Sequence, residues 1–172
     1  MTIESLPPFL RALLVTDGTV TKMLEAYFWE PVVVDTLRQE FVVTEAEVPW
    51  IEVPAGVSVL VRRARLRGGD SGLHYAHAFS VIRTERIPGS FRQRLIDREI
   101  GIGALIRDSG LESYREVMEV GVDGAGADAD PATLPRDQTD AEAKSLFRAY
   151  RIIIDGSPVI LISETFPLSL YR

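Results

Sequence analysis

Two side chains in this sequence have the type and setting to do chemistry, Arg62 and Glu164. Arg62 lies in the run Val59 to Arg67, where alternation puts it on one strand face with Leu60, Ala64 and Leu66 and sends Arg63, Arg65 and Arg67 to the other. An arginine on an apolar face has to be paired or to face a cavity, because burying a lone charge is expensive. Its planar fork suits a carboxylate held through two parallel hydrogen bonds. Glu164 follows the apolar run Val159 to Ile162, and a carboxylate near the end of such a strand is a candidate acid or base. Each has a plainer reading. The alternation around Arg62 could be shifted by one, or its head could reach solvent at a sheet edge; Glu164 could meet solvent or pair with Arg148 or Arg151.

Other chemistries are poorly supplied. Cysteine is absent, which rules out disulfides, thiolate metal sites and a cysteine nucleophile. The two histidines, His74 and His77, have opposite strand parity and cannot jointly hold one metal from the same face, so no metal site is expected. There is no phosphate-binding loop, no nucleophile elbow and no zinc-protease motif. Glu112, Arg115 and Glu116 read as a solvated charge run, and Trp29 and Trp50 as core or rim residues. With 19 basic and 25 acidic residues the net charge is −6, a poor balance for a nucleic-acid partner. No apolar run approaches the roughly 18 residues of a membrane span. The N-terminus carries Glu4 and no basic lead, so it does not read as a secretory signal, and a cytoplasmic location is expected.

The elements that must position these residues follow from the hydrophobic period. Phe9, Leu10, Leu13 and Leu14 recur at helical spacing within Ser5 to Thr16; Asp17-Gly18 stops that helix and Thr19 can cap the next, whose face carries Val20, Leu24 and Phe28. The pattern then becomes β-branched and alternating. Strands are expected over 31–43, 57–67 and 74–82, the last two joined by a hairpin loop at 68–72. A helix is expected over 86–99, a short one over 104–107, and a strand over 114–122. The segment 123–141 is rich in Gly, Ala and Asp with little to bury, and is expected to be a mobile acidic loop. Two apolar runs, 146–154 and 158–166, flank Asp155-Gly156, a strong type I′ hairpin signal. The order predicts an α+β fold: one antiparallel sheet of about six strands with helices packed on one face, a single domain over 1–172.

Beyond its pattern, the chain resembles the chorismate pyruvate-lyase family. The matching stretches are TDGTVTKMLE at 16–25, VRRARLRG at 61–68 followed by the strand His74 to Ile82, IGIGAL at 100–105, and RAYRIIIDGSPVILISETF at 148–166. Their order and spacing agree over nearly the whole chain, except for the acidic loop. The resemblance implies a six-stranded antiparallel sheet with helices on one side. It also implies cleavage of chorismate to 4-hydroxybenzoate and pyruvate without a metal or organic cofactor, in an internal cavity under helical flaps that holds its product tightly. A strand arginine that binds the product carboxylate matches Arg62, and a strand glutamate near the hydroxyl matches Glu164. Apolar lining matches Val20 and Ile102. The implied partner is a small aromatic or cyclohexadienyl carboxylate.

One departure bears on chemistry. Some lyases carry a second arginine on the strand after the hairpin, where this chain has Ala78; another basic residue, such as Arg148, Arg151 or Lys22, is then a candidate to hold the second carboxylate. Two alternatives remain alongside the lyase. One is a lyase-like enzyme acting on another small carboxylate, such as a cyclase or isomerase of secondary metabolism. The other is a binding module related to the UTRA effector domains of bacterial transcription regulators, against which the lack of a basic recognition helix weighs.

Overall fold

The computed structural model describes residues 2–16, 19–123 and 144–171. Its secondary structure runs α1 (Pro8–Val15), α2 (Val20–Phe28), β1 (Val32–Val43), β2 (Ser58–Gly68), β3 (His74–Ile82), α3 (Gly89–Ile96), α4 (Ile102–Asp108), β4 (Ser113–Asp123), β5 (Ser145–Ile154) and β6 (Ser157–Pro167). The six strands form one sheet in the order β1-β2-β3-β6-β5-β4, every pair antiparallel. This is the α+β architecture expected. The acidic loop expected over 123–141 lies outside the described residues from position 124 onward, as does the Asp17-Gly18 helix stop. No helix among the described residues is long and apolar enough to cross a membrane.

Local chemistry accounts for most boundaries. At the β5–β6 turn Asp155 (φ 51°) and Gly156 (φ 78°) are both left-handed, the conformation a type I′ turn requires. The helix expected from residue 86 starts later, because Pro88 disfavours helical backbone at the residue before it; Ile87 is extended (φ −101°, ψ 137°) and Pro88 takes the N-cap position of α3. Arg98, at φ 60°, separates α3 from α4, and α4 begins at Ile102 rather than Ala104. Thr19 does occupy the N-cap of α2, but its side chain makes no capping hydrogen bond. Trp29 departs furthest from expectation. As the left-handed C-cap residue of α2 (φ 58°) its indole points outward and is 89% exposed.

The helices cover one face of the sheet in two separate groups. Leu10, Leu13 and Leu14 of α1 and Val20 and Leu24 of α2 pack on Leu66, Ala76, Leu146 and Phe166. Leu95 of α3 and Leu105 of α4 pack on Leu60, Ile82, Ile152 and Ile160. On the reverse face Ile51 and Val53, from the β1–β2 connection, pack on Val59, Val81 and Leu161. Full burial of each such Val, Leu, Ile or Phe side chain contributes about 1.5–3 kcal/mol.

Strand register shows what lies between the two helix groups. One row across the sheet reads Gln39, Arg62, Ser80, Ile162, Tyr150, Val117; the next reads Thr36, Ala64, Ala78, Glu164, Arg148, Val120. The middle of both rows is made of small residues, Ser80, Ala64 and Ala78. Neither helix pair reaches them, so a gap remains over the centre of the sheet. Both edge strands carry a bulge, between Thr36 and Arg38 in β1 and between Val117 and Glu119 in β4. Bulges are a common device for making sheet edges poor templates for further strands.

Candidate functional site

The gap is a cavity of about 410 Å³. Its floor is the two rows of small and polar side chains. Its walls are the start of α2 at Thr19, Val20 and Thr21, and the α3–α4 connection running into α4 from Arg98 to Ala104. All four residues singled out from sequence, Arg62, Glu164, Val20 and Ile102, line this one cavity. Arg62 and Glu164 stand on β2 and β6 with β3 between them and in adjacent rows, so their backbones are about 12 Å apart and their side chains approach the space over Ala78 and Ser80 from either side.

Arg62 is buried, with 8% of its surface exposed. One guanidinium nitrogen donates to Thr36 Oγ1 at 3.0 Å. Its Nε makes no hydrogen bond among the described residues, and no carboxylate pairs with it there. Burial first, and then the positive charge of Arg98, lower its pKa from the ordinary guanidinium value. A half-satisfied buried cation at the wall of a cavity is expensive in the empty protein. The same donors are what a carboxylate would satisfy.

Glu164 is also buried, and it satisfies the plainer reading and lines the cavity at once. Its Oε2 accepts from Arg148 Nε at 2.7 Å and its Oε1 from the Tyr150 hydroxyl at 3.0 Å. Arg148 is fully buried, donates to the carbonyls of Leu13 (2.8 Å) and Thr16 (3.0 Å), and lies over the Tyr150 ring at 4.7 Å. Burial, followed by the neighbouring Glu164 carboxylate, pushes the Tyr150 phenol well above its usual range, so at neutral pH it remains a proton donor. The result is a carboxylate fixed at one end of the cavity by two donors, with the remaining lone pairs directed to whatever fills the space.

The three residues considered for a second carboxylate do not sit in this space. Arg148 lies behind Glu164, held by the contacts above. Arg151 belongs to the reverse face and donates to Glu116 (2.8 Å) and the Trp50 carbonyl (3.0 Å). Lys22 is largely exposed and pairs with Glu25 at 2.8 Å. Arg115 differs from expectation in the other direction: read as part of a solvated charge run, it lines the cavity. It stands opposite Ile152 and therefore on the helix-covered face. Thr36, Gln39 and Tyr150 are among the further cavity-lining residues that the sequence reading missed. Gln39 donates from Nε2 to the carbonyls of Leu95 (2.9 Å) and Ile96 (3.0 Å), tying the end of α3 to the rim.

A family model described as chorismate pyruvate-lyase, Rv2949c-like, matches residues 14–172. The chorismate pyruvate-lyase of Mycobacterium leprae is 29% identical over 170 residues, covering 99% of this chain and 79% of that protein. The chorismate pyruvate-lyase of Mycobacterium tuberculosis (strain CDC 1551 / Oshkosh) is 25% identical, covering 99% and 85%. Among solved structures, PhnF from Mycobacterium smegmatis superposes with a TM-score of 0.62 at 16% identity, over 92% of this chain and 67% of that one. The effector domain of PhnF superposes at 0.57 and 18% identity, over 87% and 88%. At such identities these structural likenesses are of fold alone.

Proposed function

We propose that this chain, which belongs to the Rv2949c-like chorismate pyruvate-lyase family, cleaves chorismate to 4-hydroxybenzoate and pyruvate in the cavity over its sheet. The observation that carries this reading is Arg62, a buried guanidinium with an unused donor at the wall of a cavity whose far end holds the Glu164 carboxylate. That pair matches a ligand with a carboxylate at one end and a hydroxyl or ether oxygen at the other.

The reaction suits such a site. Chorismate carries an enolpyruvyl ether and a proton on adjacent ring carbons. Breaking the carbon–oxygen bond and removing that proton places a new double bond in the ring, which becomes aromatic. The departing enolpyruvate takes up a proton and becomes pyruvate, so no oxidant or reductant is needed. The driving force resides in the substrate, and the protein's part is to orient it, exclude water and move a proton. Arg62 anchors the ring carboxylate. Glu164 acts at the ring's other end as hydrogen-bond partner and acid/base group, with Tyr150 and Arg148 fixing its position. Val20 and Ile102 supply apolar walls from the two helix pairs.

The test is direct. Purified protein incubated with chorismate should release pyruvate, read by coupling to lactate dehydrogenase, and an equal amount of 4-hydroxybenzoate, read by chromatography. Binding of 4-hydroxybenzoate with no release of either product would overturn the lyase reading in favour of a carboxylate-binding module.

A further inference from the structure

We infer that Gly101 is a specificity-determining residue of this cavity: by carrying no side chain it keeps open the place at the end of the Arg62 guanidinium that a ligand carboxylate takes. The inference rests on the anchoring role given to Arg62 above and adds the residue that decides what fits against it.

Gly101 lies in the α3–α4 connection, at the N-cap of α4, and lines the cavity together with Arg62. A Cβ placed on it would lie 3.8 Å from Nη1 and 3.8 Å from Nη2 of Arg62, and within 4 Å of nothing else beyond its own neighbours in the chain. Equal distances put that point on the plane that bisects the fork. Because the central guanidinium carbon is farther away than either nitrogen, the point lies off the end of the fork and not over its flat face. This end is an edge across which a guanidinium takes a carboxylate through two parallel hydrogen bonds. The other such edge includes Nε, which is itself buried. A carboxylate seated at the end, its oxygens about 2.8 Å from the two nitrogens, has its carbon within about 3.5 Å of that point, at or inside the contact distance of two carbons. A methyl group and the carboxylate therefore compete for one place.

The backbone at this position does not call for glycine. It is extended (φ −90°, ψ 171°), which any residue adopts, and its carbonyl accepts from the Leu105 amide at 2.9 Å whatever the side chain. Ser, Asp and Asn suit an N-cap at least as well as glycine and bring a capping oxygen, yet no side chain caps α4. Gly68 and Gly121 are different, since a Cβ there would run into Glu30 or Phe147. Their bare Cα atoms serve packing, whereas that of Gly101 faces a cavity and a cation.

The experiment is calorimetric titration with 4-hydroxybenzoate, with a thermal melt of each protein, on wild type, Gly101→Ala, Gly101→Asp and a control, Gly89→Ala. Gly89 opens α3 and a Cβ on it meets nothing within 4 Å. Gly101→Ala should bind about tenfold or more weakly, the lower end of the range for losing a charge-assisted contact, and Gly89→Ala as wild type does. Gly101→Asp sets a carboxylate of the chain's own beside the fork, so it should melt above wild type and bind more weakly still. In an Arg62→Met background Gly101→Ala should cost little further affinity, because both changes remove the same contact. Wild-type affinity in Gly101→Ala or Gly101→Asp, or an equal loss with and without Arg62, overturns the assignment. Weakening by Arg62→Met but not by Gly101→Ala overturns the role of Gly101 alone, and a wild type that does not bind 4-hydroxybenzoate overturns it together with the Arg62 anchor. The expected binding pattern without release of pyruvate from chorismate supports Gly101 and overturns the lyase reading alone.

Discussion

Removing the guanidinium of Arg62 should separate binding from folding. In the empty protein the group is buried, makes one hydrogen bond to Thr36 and leaves Nε without one among the described residues. That bond, from a charged donor, contributes about 1.5–3 kcal/mol, while holding an unpaired ion out of water costs several kcal/mol after relaxation. Arg62→Met keeps much of the stem volume and removes the charge. Its thermal midpoint should equal or exceed that of wild type. The ligand ledger runs the other way: losing a charge-assisted contact of about 1.5–3 kcal/mol weakens 4-hydroxybenzoate binding about 10- to 150-fold, and the bidentate fork places the effect toward the upper part of that range. Arg62→Lys should recover only part, since a single ammonium cannot present the fork. Calorimetric titration with 4-hydroxybenzoate and a thermal melt, run on all three proteins, read both quantities. Unchanged affinity in Arg62→Met would refute the anchoring role. A melt lowered as steeply as for a broken buried ion pair would refute the claim that the empty site is strained.

Arg148→Met should behave in the opposite way, because it leaves the Glu164 carboxylate buried without its ion partner and removes the hydrogen bonds to the Leu13 and Thr16 carbonyls; a loss of about 3–5 kcal/mol in urea unfolding is expected. Gln39→Ala removes both hydrogen bonds to the end of α3, so 4-hydroxybenzoate should dissociate several-fold faster in stopped flow with the melt little changed. Glu30 has its carboxyl held down to about 2, chiefly by the Ser71 hydroxyl and then the Tyr75 hydroxyl, with backbone amides of Ser71 and Asp70 adding to this. Its folded-state pKa lies below its unfolded one, so its contribution is complete above about 4.5 and is lost as the pH falls toward about 2. Melts across that window should be less pH-dependent in Glu30→Gln than in wild type.

How much of this was readable in advance follows element by element. The sheet was legible because its strands keep a period of two over long runs and because Asp155-Gly156 admits few alternatives to a tight hairpin. Arg62 and Glu164 were legible as polar residues at apolar positions, the pattern that needs a physical excuse. Their partners were hidden for a different reason. Thr36 and Gln39 are three residues apart and would point to opposite faces of a regular strand; the β1 bulge brings both to the cavity, and nothing in the run from Val32 to Val43 announces it. Arg115 beside Glu116 looked like surface charge because β4 is an edge strand whose cavity-facing and outward residues are both polar at that point. Tyr150 lay on the same strand face as Arg148 and could have been found once Arg148 was taken as the partner of Glu164. Trp29, read as a core or rim residue, is turned outward by its left-handed cap position, which the sequence around it does not announce.

The extra residue in β1 also sets which changes in chain length the site can survive. Thr36 pairs with Ala64, and Arg38 and Gln39 pair with Arg63 and Arg62, so Leu37 is the one residue in this stretch without a partner of its own. Deleting Leu37 would leave those pairings in regular alternation, with Thr36 and Gln39 still facing the cavity. Deleting a neighbour from either half of the strand would instead throw every residue between it and the bulge onto the wrong face. The bulge is thus dispensable for the facing of Thr36 and Gln39, while it interrupts the ladder along the sheet edge. Without it β1 becomes a straight edge carrying exposed Val33, Phe41 and Val43, open to pairing with another chain. A single codon at Leu37 therefore separates the register that brings Thr36 and Gln39 to the cavity from the irregularity that marks the sheet edge.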